Sequence, residues 1–128
     1  MSFKAKLKVG GSEFNVLSSS YGLHQETDAT GRPSSITRGG RITVTVESTA
    51  ETILSDLAFN NFQMTDGEIV FMKRDTEATA KALKFKFAYL VKYVETFDST
   101  GNNPMTETVT FSAKEIGIGT AEHINEWV

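Results

Sequence analysis

The strict period-two alternation of residues 2–9 constrains this chain more than any other feature. Phe3, Ala5, Leu7 and Val9 face one way, and Lys4, Lys6 and Lys8 face the other. That period belongs to a half-buried β-strand. Gly10-Gly11 follows, a pair that tolerates the positive φ of a tight hairpin turn. A second strand begins near Glu13, with Phe14 and Val16 on one face, and runs less regularly towards Tyr21 and Leu23. The alternation returns cleanly at residues 41–47, with Ile42, Val44 and Val46 set against Arg41, Thr43, Thr45 and Glu47.

The period changes once. Ser48-Thr49-Ala50-Glu51 has the spacing of a capping box, in which Ser48 and Glu51 each satisfy an orphan amide of the first turn. Ala50, Ile53, Leu54, Leu57 and Ala58 then recur at helical spacing, which predicts a helix over 49–60. Asn60-Asn61 and Asp66-Gly67 punctuate its exit. A short strand is expected at 68–74, and a loop or frayed helical turn at 75–81. The longest strand follows at about 82–97, with Leu83, Phe85, Phe87, Tyr89, Val91 and Tyr93 in one row. Asp98–Pro104 is dense in turn formers, and residues 105–116 return as a strand with Val109, Phe111 and Ala113 in phase. The tail from Thr120 fits a helical turn or a strand equally well. The expected fold is mainly β: a small antiparallel β-barrel or sandwich of about seven or eight strands with one short α-helix. At 128 residues it is expected to form a single domain over 1–128.

Such a fold has one inner face to fill, yet two segments are apolar on both faces. Ile69-Val70-Phe71-Met72 is continuous, and Ala88, Leu90 and Val94 lie opposite the Tyr89–Tyr93 row. One helix of about 18 Å, at 1.5 Å per residue, covers only part of that surplus. The pattern therefore favours burial against another copy, because monomers seldom leave large apolar patches open. Val70, Met72, Leu90 and Val94 are the interface candidates.

Chemistry is harder to find. A net charge of −3 argues against nucleic acid as the main partner. There is no cysteine, hence no disulfide framework and no thiol nucleophile. The first residues lack the apolar core of a signal peptide, and no run reaches the roughly 18 residues of a membrane span. His24-Gln25-Glu26 resembles the H-x-E of zinc deaminases without their second half. Asp98-x-Thr100-x-Asn102 starts like an EF-hand loop but has Asn103 at position six and Val109 at position twelve. No catalytic, metal-binding or cofactor site is expected. The rows Lys4, Lys6, Lys8 and Lys84, Lys86, Lys92 read first as solvated faces, and second as a charged wall for an acidic partner.

That leaves Tyr21–Arg41, a polar connection far longer than the others, holding Gly31, Pro33, Gly39 and Gly40. The loop and its return strand, YGLHQETDATGRPSSITRGGRITVTVES, the helix with Ile53, Leu54 and Leu57, and Glu107-x-Val109-x-Phe111 followed by Ile116 together resemble a divergent branch of the Hcp (TssD) tube proteins of type VI secretion systems. The resemblance covers essentially the whole chain. It implies homo-hexameric rings that stack into a hollow tube carrying effector proteins. It also implies a VgrG spike, a contractile sheath and a baseplate as partners, and a cytoplasmic subunit that is later secreted. The extended loop is then expected to stack rings, with Asp28, Thr30, Arg32, Pro33, Ser35 and Arg38 as contact candidates. A competing reading is a monomeric β-barrel that binds a small apolar ligand among Phe85, Phe87, Tyr89 and Phe111.

Overall fold

The computed structural model describes residues 3–23, 25–34, 40–60, 63–73, 79–102, 104–118 and 121–124. Among them run β1 (Phe3–Val9), β2 (Ser12–Tyr21), β3 (Arg41–Glu47), α1 (Ile53–Phe59), β4 (Met64–Lys73), β5 (Thr79–Phe97), β6 (Met105–Ile118) and β7 (Ala121–Ile124). The sheet order is β3-β2-β1-β4-β5-β6-β7, and β3 also pairs with β6. That last pairing, from Arg41↔Ser112 to Glu47↔Thr106, closes six antiparallel strands into a barrel. Strand β7 lies against the far end of β6, from Glu115 to Ile118, beyond the stretch that β3 occupies. The mainly-β barrel expected from the alternation is the fold observed, and the undecided tail includes a strand.

The alternating rows point inward as their period requires. Leu7, Ile42, Val44, Val46, Ile69, Val109 and Phe111 are fully buried in one cluster. Phe85 and Phe111 meet at its centre with ring centroids 4.9 Å apart. Side chains therefore fill the barrel, and the small-ligand reading loses its cavity. Phe87, one of the residues assigned to that cavity, is 46% exposed.

Phe87 marks where the expected row on β5 fails. Opposite Asp66 the β4–β5 register shifts between Thr65/Ala88 and Gly67/Phe85. A second shift falls between Leu90 and Lys92 on the β6 side. Each bulge adds one residue and flips the strand's faces. The inward series is thus Leu83, Phe85, Ala88, Leu90 and Tyr93. The two flips cancel, so both ends of the predicted row are right and its middle is wrong. Phe87 takes a positive φ of 53°, and its amide donates to Asp66 Oδ1 at 2.9 Å, which anchors the first bulge. Much of the apolar surplus on β5 is consequently core: Ala88 is buried, and Leu90 packs inward, contrary to its expected face.

The helix is shorter than its pattern suggested. It starts at Ile53 after Thr52, with no side-chain cap bond. The capping box does not form. Ser48 donates its amide to the Met105 carbonyl, and the Glu51 carboxylate accepts from Ser12 Oγ at 3.3 Å. Closure of β3 onto β6 thus holds Ser48 in strand-like pairing and takes it away from the helix. The remaining seven residues span about 10 Å at 1.5 Å per residue. They do not cover an outer sheet face. Leu54 and Leu57 join the barrel core, and Ile53 packs beside the β1–β2 turn at Gly10. The helix plugs the barrel end that carries this turn.

Gly67, read from sequence as exit punctuation, lies inside β4 and makes this packing possible. A Cβ there would stand 2.6 Å from the Phe85 ring and 2.8 Å from the Lys8 carbonyl oxygen. The backbone contact cannot be relieved by a rotamer change. Gly67→Ala should lower stability by about 1–3 kcal/mol, the usual cost of overpacking. The check is the denaturant midpoint at unchanged m value.

Candidate assembly site

The Tyr21–Arg41 connection is not loose where it is described. Thr27 pairs with Pro33 in an antiparallel bridge. Ser34 donates its amide to the Glu26 carbonyl at 2.7 Å, and Asp28 donates its amide to the Arg32 carbonyl at 2.9 Å. Asp28 Oδ1 gathers three donors: Thr30 Oγ1 at 2.7 Å, Thr30 N at 2.9 Å and Arg32 N at 3.1 Å. The Thr30 hydroxyl, followed by the backbone amides of Arg32 and Thr30, holds the Asp28 carboxyl below its ordinary value. Gly31 supplies the positive φ, 87°, that reverses the chain. The result is a miniature hairpin that stays fully exposed to solvent along residues 25–34. Three backbone bonds inside the hairpin and the Asp28 carboxylate pre-shape it. Arg32 presents its guanidinium at the tip and makes no ion pair among the described residues.

The same device occurs at the β5–β6 turn. Asp98 Oδ1 accepts from Thr100 Oγ1 at 2.7 Å and Thr100 N at 3.0 Å. The Asp-x-Thr spacing that resembled an ion-binding loop is a turn. Among the described residues, no group of three or more His, Cys, Asp or Glu is placed to hold a metal ion.

The other candidates fall in different surroundings. Ser35 and Arg38 lie outside the described residues. Val70 is 8% exposed, Met72 is half-buried beside Lys4 in register, and Val94 is 44% exposed. The outward flips of β5 add Phe87 and Val91 to Val94, an apolar edge that simple alternation hid. Lysine rows on β1 and β5 do not form a single-sign wall. Glu68 stands between Lys8 and Lys84 in register, and Glu13 Oε atoms lie 3.7 Å from both Lys6 Nζ and Lys8 Nζ. No helix among the described residues is long and apolar enough to cross a membrane.

Glu107, the leading residue of the E-x-V-x-F strand, points into the barrel and is 2% exposed. Tyr93 donates its hydroxyl to Glu107 Oε1 at 2.7 Å, while Oε2 is buried without a hydrogen-bond partner. The pair joins β5 to β6 beyond the second bulge. Simple alternation already turns Tyr93 inward; in register it faces Val109, and its hydroxyl reaches Glu107 two residues along β6.

The closed barrel has counterparts among solved proteins. The cap that terminates the anti-feeding prophage tube shares the fold (TM-score 0.58, 16% identity, over 91% of this chain and 88% of that one). Hcp1 from Salmonella typhimurium aligns with TM-score 0.77 at 18% identity, over 97% of this chain and 95% of that one. Hcp1 from Flavobacterium johnsoniae is 52% identical, over 95% of this chain and 99% of that one, with TM-score 0.91. These neighbours define the class by fold, the closed barrels of Hcp type. The model of the hemolysin coregulated protein family, Hcp (TssD), matches residues 1–128, and the chain belongs to that family, the structural tube subunits of type VI secretion. No curated protein matches the chain.

Burial, then the hydrogen bond and negative charge of Glu107, push the Tyr93 hydroxyl well above its usual value of 10.0. The folded state thus favours the neutral phenol. Its contribution is whole below pH 10 and is lost as pH rises towards the higher folded value. Wild-type stability should fall at alkaline pH, and Tyr93→Phe should flatten that slope. The same substitution should cost about 1–3 kcal/mol at neutral pH, because it strands a buried carboxylate. Denaturant titrations of both proteins across pH 7–11 measure both effects.

Proposed function

We propose that residues 1–128 act as one domain that closes into hexameric rings, and that these rings stack into the hollow tube of a type VI system. A VgrG spike caps the tube, a contractile sheath and baseplate drive it, and effector proteins travel in its lumen. The subunit is assembled in the cytoplasm and leaves the cell by this route. Its work is mechanical and not catalytic: it binds copies of itself and is propelled. The observation that carries this reading is the self-supporting Thr27–Pro33 hairpin at one end of a closed barrel, in a chain of the tube family.

In this reading Asp28, Thr30, Arg32, Pro33, Ser35 and Arg38 form the ring-stacking loop. Asp28 and Thr30 shape it from within, and Arg32 and Arg38 supply charge. Within a ring, Met72 and Val94 meet the neighbouring subunit. Val70 and Leu90 back those strands from more covered positions. Contacts of one kind close the ring, and contacts of the other propagate along the axis.

Size-exclusion chromatography with light scattering, joined to negative-stain microscopy, tests the assembly. Rings are expected; a strict monomer at high concentration overturns the reading. Arg32→Glu combined with Arg38→Glu should shorten or abolish stacks while rings persist. The loss per charge contact is about 0.2–1 kcal/mol, repeated around the ring and weakened by salt. Loss of the rings themselves would assign the loop to the other interface.

A further inference from the structure

Asp66-Gly67 is the one Asp-Gly pair in the chain, and no Asn is followed by Gly. The barrel requires both residues, for separate reasons. Asp66 Oδ1 accepts the Phe87 amide at 2.9 Å, where the β4–β5 register shifts. Gly67 has no room for a Cβ, which would stand 2.8 Å from the Lys8 carbonyl oxygen and 2.6 Å from the Phe85 ring. Asp66 itself is exposed to solvent.

This pair carries a chemical liability. A glycine amide has no Cβ beside it to shield it from the carboxyl group of the residue before. Bonding of Gly67 N to Asp66 Cγ expels a carboxyl oxygen as water and closes a five-membered succinimide. Water then adds at either ring carbonyl. Opening at the Asp66 main-chain carbonyl breaks its old bond to Gly67 N, and the chain now runs through the former side-chain carboxyl as an isoaspartate. One water leaves and one returns, so the mass is unchanged and no other reactant is needed.

The folded strand opposes that closure. Gly67 pairs with Val9 on one side and with Phe85 on the other. Closing the ring swings the Asp66–Gly67 peptide out of both ladders and takes the carboxylate away from the Phe87 amide. Local opening of β4 must therefore come first.

We propose that Asp66-Gly67 is a site of spontaneous isoaspartate formation that the closed barrel suppresses, so that the modification collects on subunits whose β4 has opened. Its effect is one-way. The isoaspartate adds a carbon to the main chain of β4 and moves the carboxylate to the α position. The strand then loses its register beside the bulge, the Phe87 amide loses its acceptor, and the chain fails to rebuild the centre around Phe85. This inference concerns the single subunit and stands independently of the stacking reading.

Wild-type protein incubated at neutral pH, folded and in denaturant at one temperature, tests the site. Peptide mapping with isoaspartate methyltransferase labelling reads residue 66. Isoaspartate is expected there in denaturant, and at least about tenfold more slowly in the folded protein, because only the open fraction reacts. Equal rates overturn the suppression, and no isoaspartate at residue 66 in denaturant overturns the site. Asp66→Asn keeps the Oδ1 acceptor and closes the same ring with loss of ammonia, so its conversion to aspartate and isoaspartate is read directly by mass. It should show the same contrast between folded and denatured protein; equal rates there also overturn the suppression. Aged, denatured wild type is finally returned to native buffer and separated by size. Isoaspartate at residue 66 should be depleted at least about tenfold from the refolded fraction relative to the aggregated one. An equal share in both overturns the one-way effect.

Discussion

The pairing of β3 with β6 is the interaction on which the remaining architecture depends. Without it, the sheet is an open ribbon with two edges. With it, the apolar rows of six strands enclose one interior, and each side chain there has neighbours from several strands. The pairing also decides local matters. It binds Ser48 through Met105 and so delays the helix to Ile53. It aligns Thr43 with Thr110 and Thr45 with Thr108, whose hydroxyls stand 3.3 and 3.0 Å apart on the outer surface. These cross-strand hydroxyl pairs support the seam without charge.

A barrel of short strands closing over large aromatic rings must bend, and β5 absorbs the bending. Its nineteen residues pair with β4 from Thr79 to Tyr89 and with β6 from Leu83 to Phe97. Three register shifts, the two bulges above and one between Phe71↔Lys81 and Met72↔Thr79, turn it without interrupting either ladder for long. Gly67 gives Phe85 the room to enter the centre, and Asp66 ties the Phe87 amide that the bulge leaves free. Adjacent residues on β4 thus solve two consequences of one distortion.

This explains how much of the molecule was legible in the sequence. Strands β1 and β3 follow period two without interruption, so their faces were readable residue by residue. The closing strand gave Val109, Phe111 and Ala113 for the same reason. The middle of β5 was not readable, because a bulge changes phase without requiring a particular residue: Phe87 carries it with a positive φ that its side chain disfavours. The error then spread to the interface candidates, since Leu90 was assigned by phase and Phe87 and Val91 were hidden by it. The helix pattern was real, but its cap was not, because Ser48 has a stronger claim elsewhere. In the long loop, Asp28 and Thr30 were legible as polar residues of interest, and their part in holding the tip's shape was not.

Closure also shapes how such a chain can polymerise. Open sheets grow by adding strands to their edges, which gives long-lived main-chain contacts. Here closure leaves short free edges among the described residues: β7 occupies the part of β6 that β3 leaves, and the end of β5 beyond Tyr89 pairs with β6 alone. Side chains, turns and the long loop are therefore the larger part of the surface open to contact. Those contacts bury less backbone and place charge at the surface, where salt and solvent compete with it. A tube built this way is held by many weak repeats and not by a continuous sheet. In the stacking proposed above, each tip is already folded before it docks, so little order is lost on assembly. The buried Tyr93–Glu107 pair and the dense aromatic centre hold the subunit's own shape, while the exposed loop, shaped by Asp28 and not by the core, is available for contacts outside it.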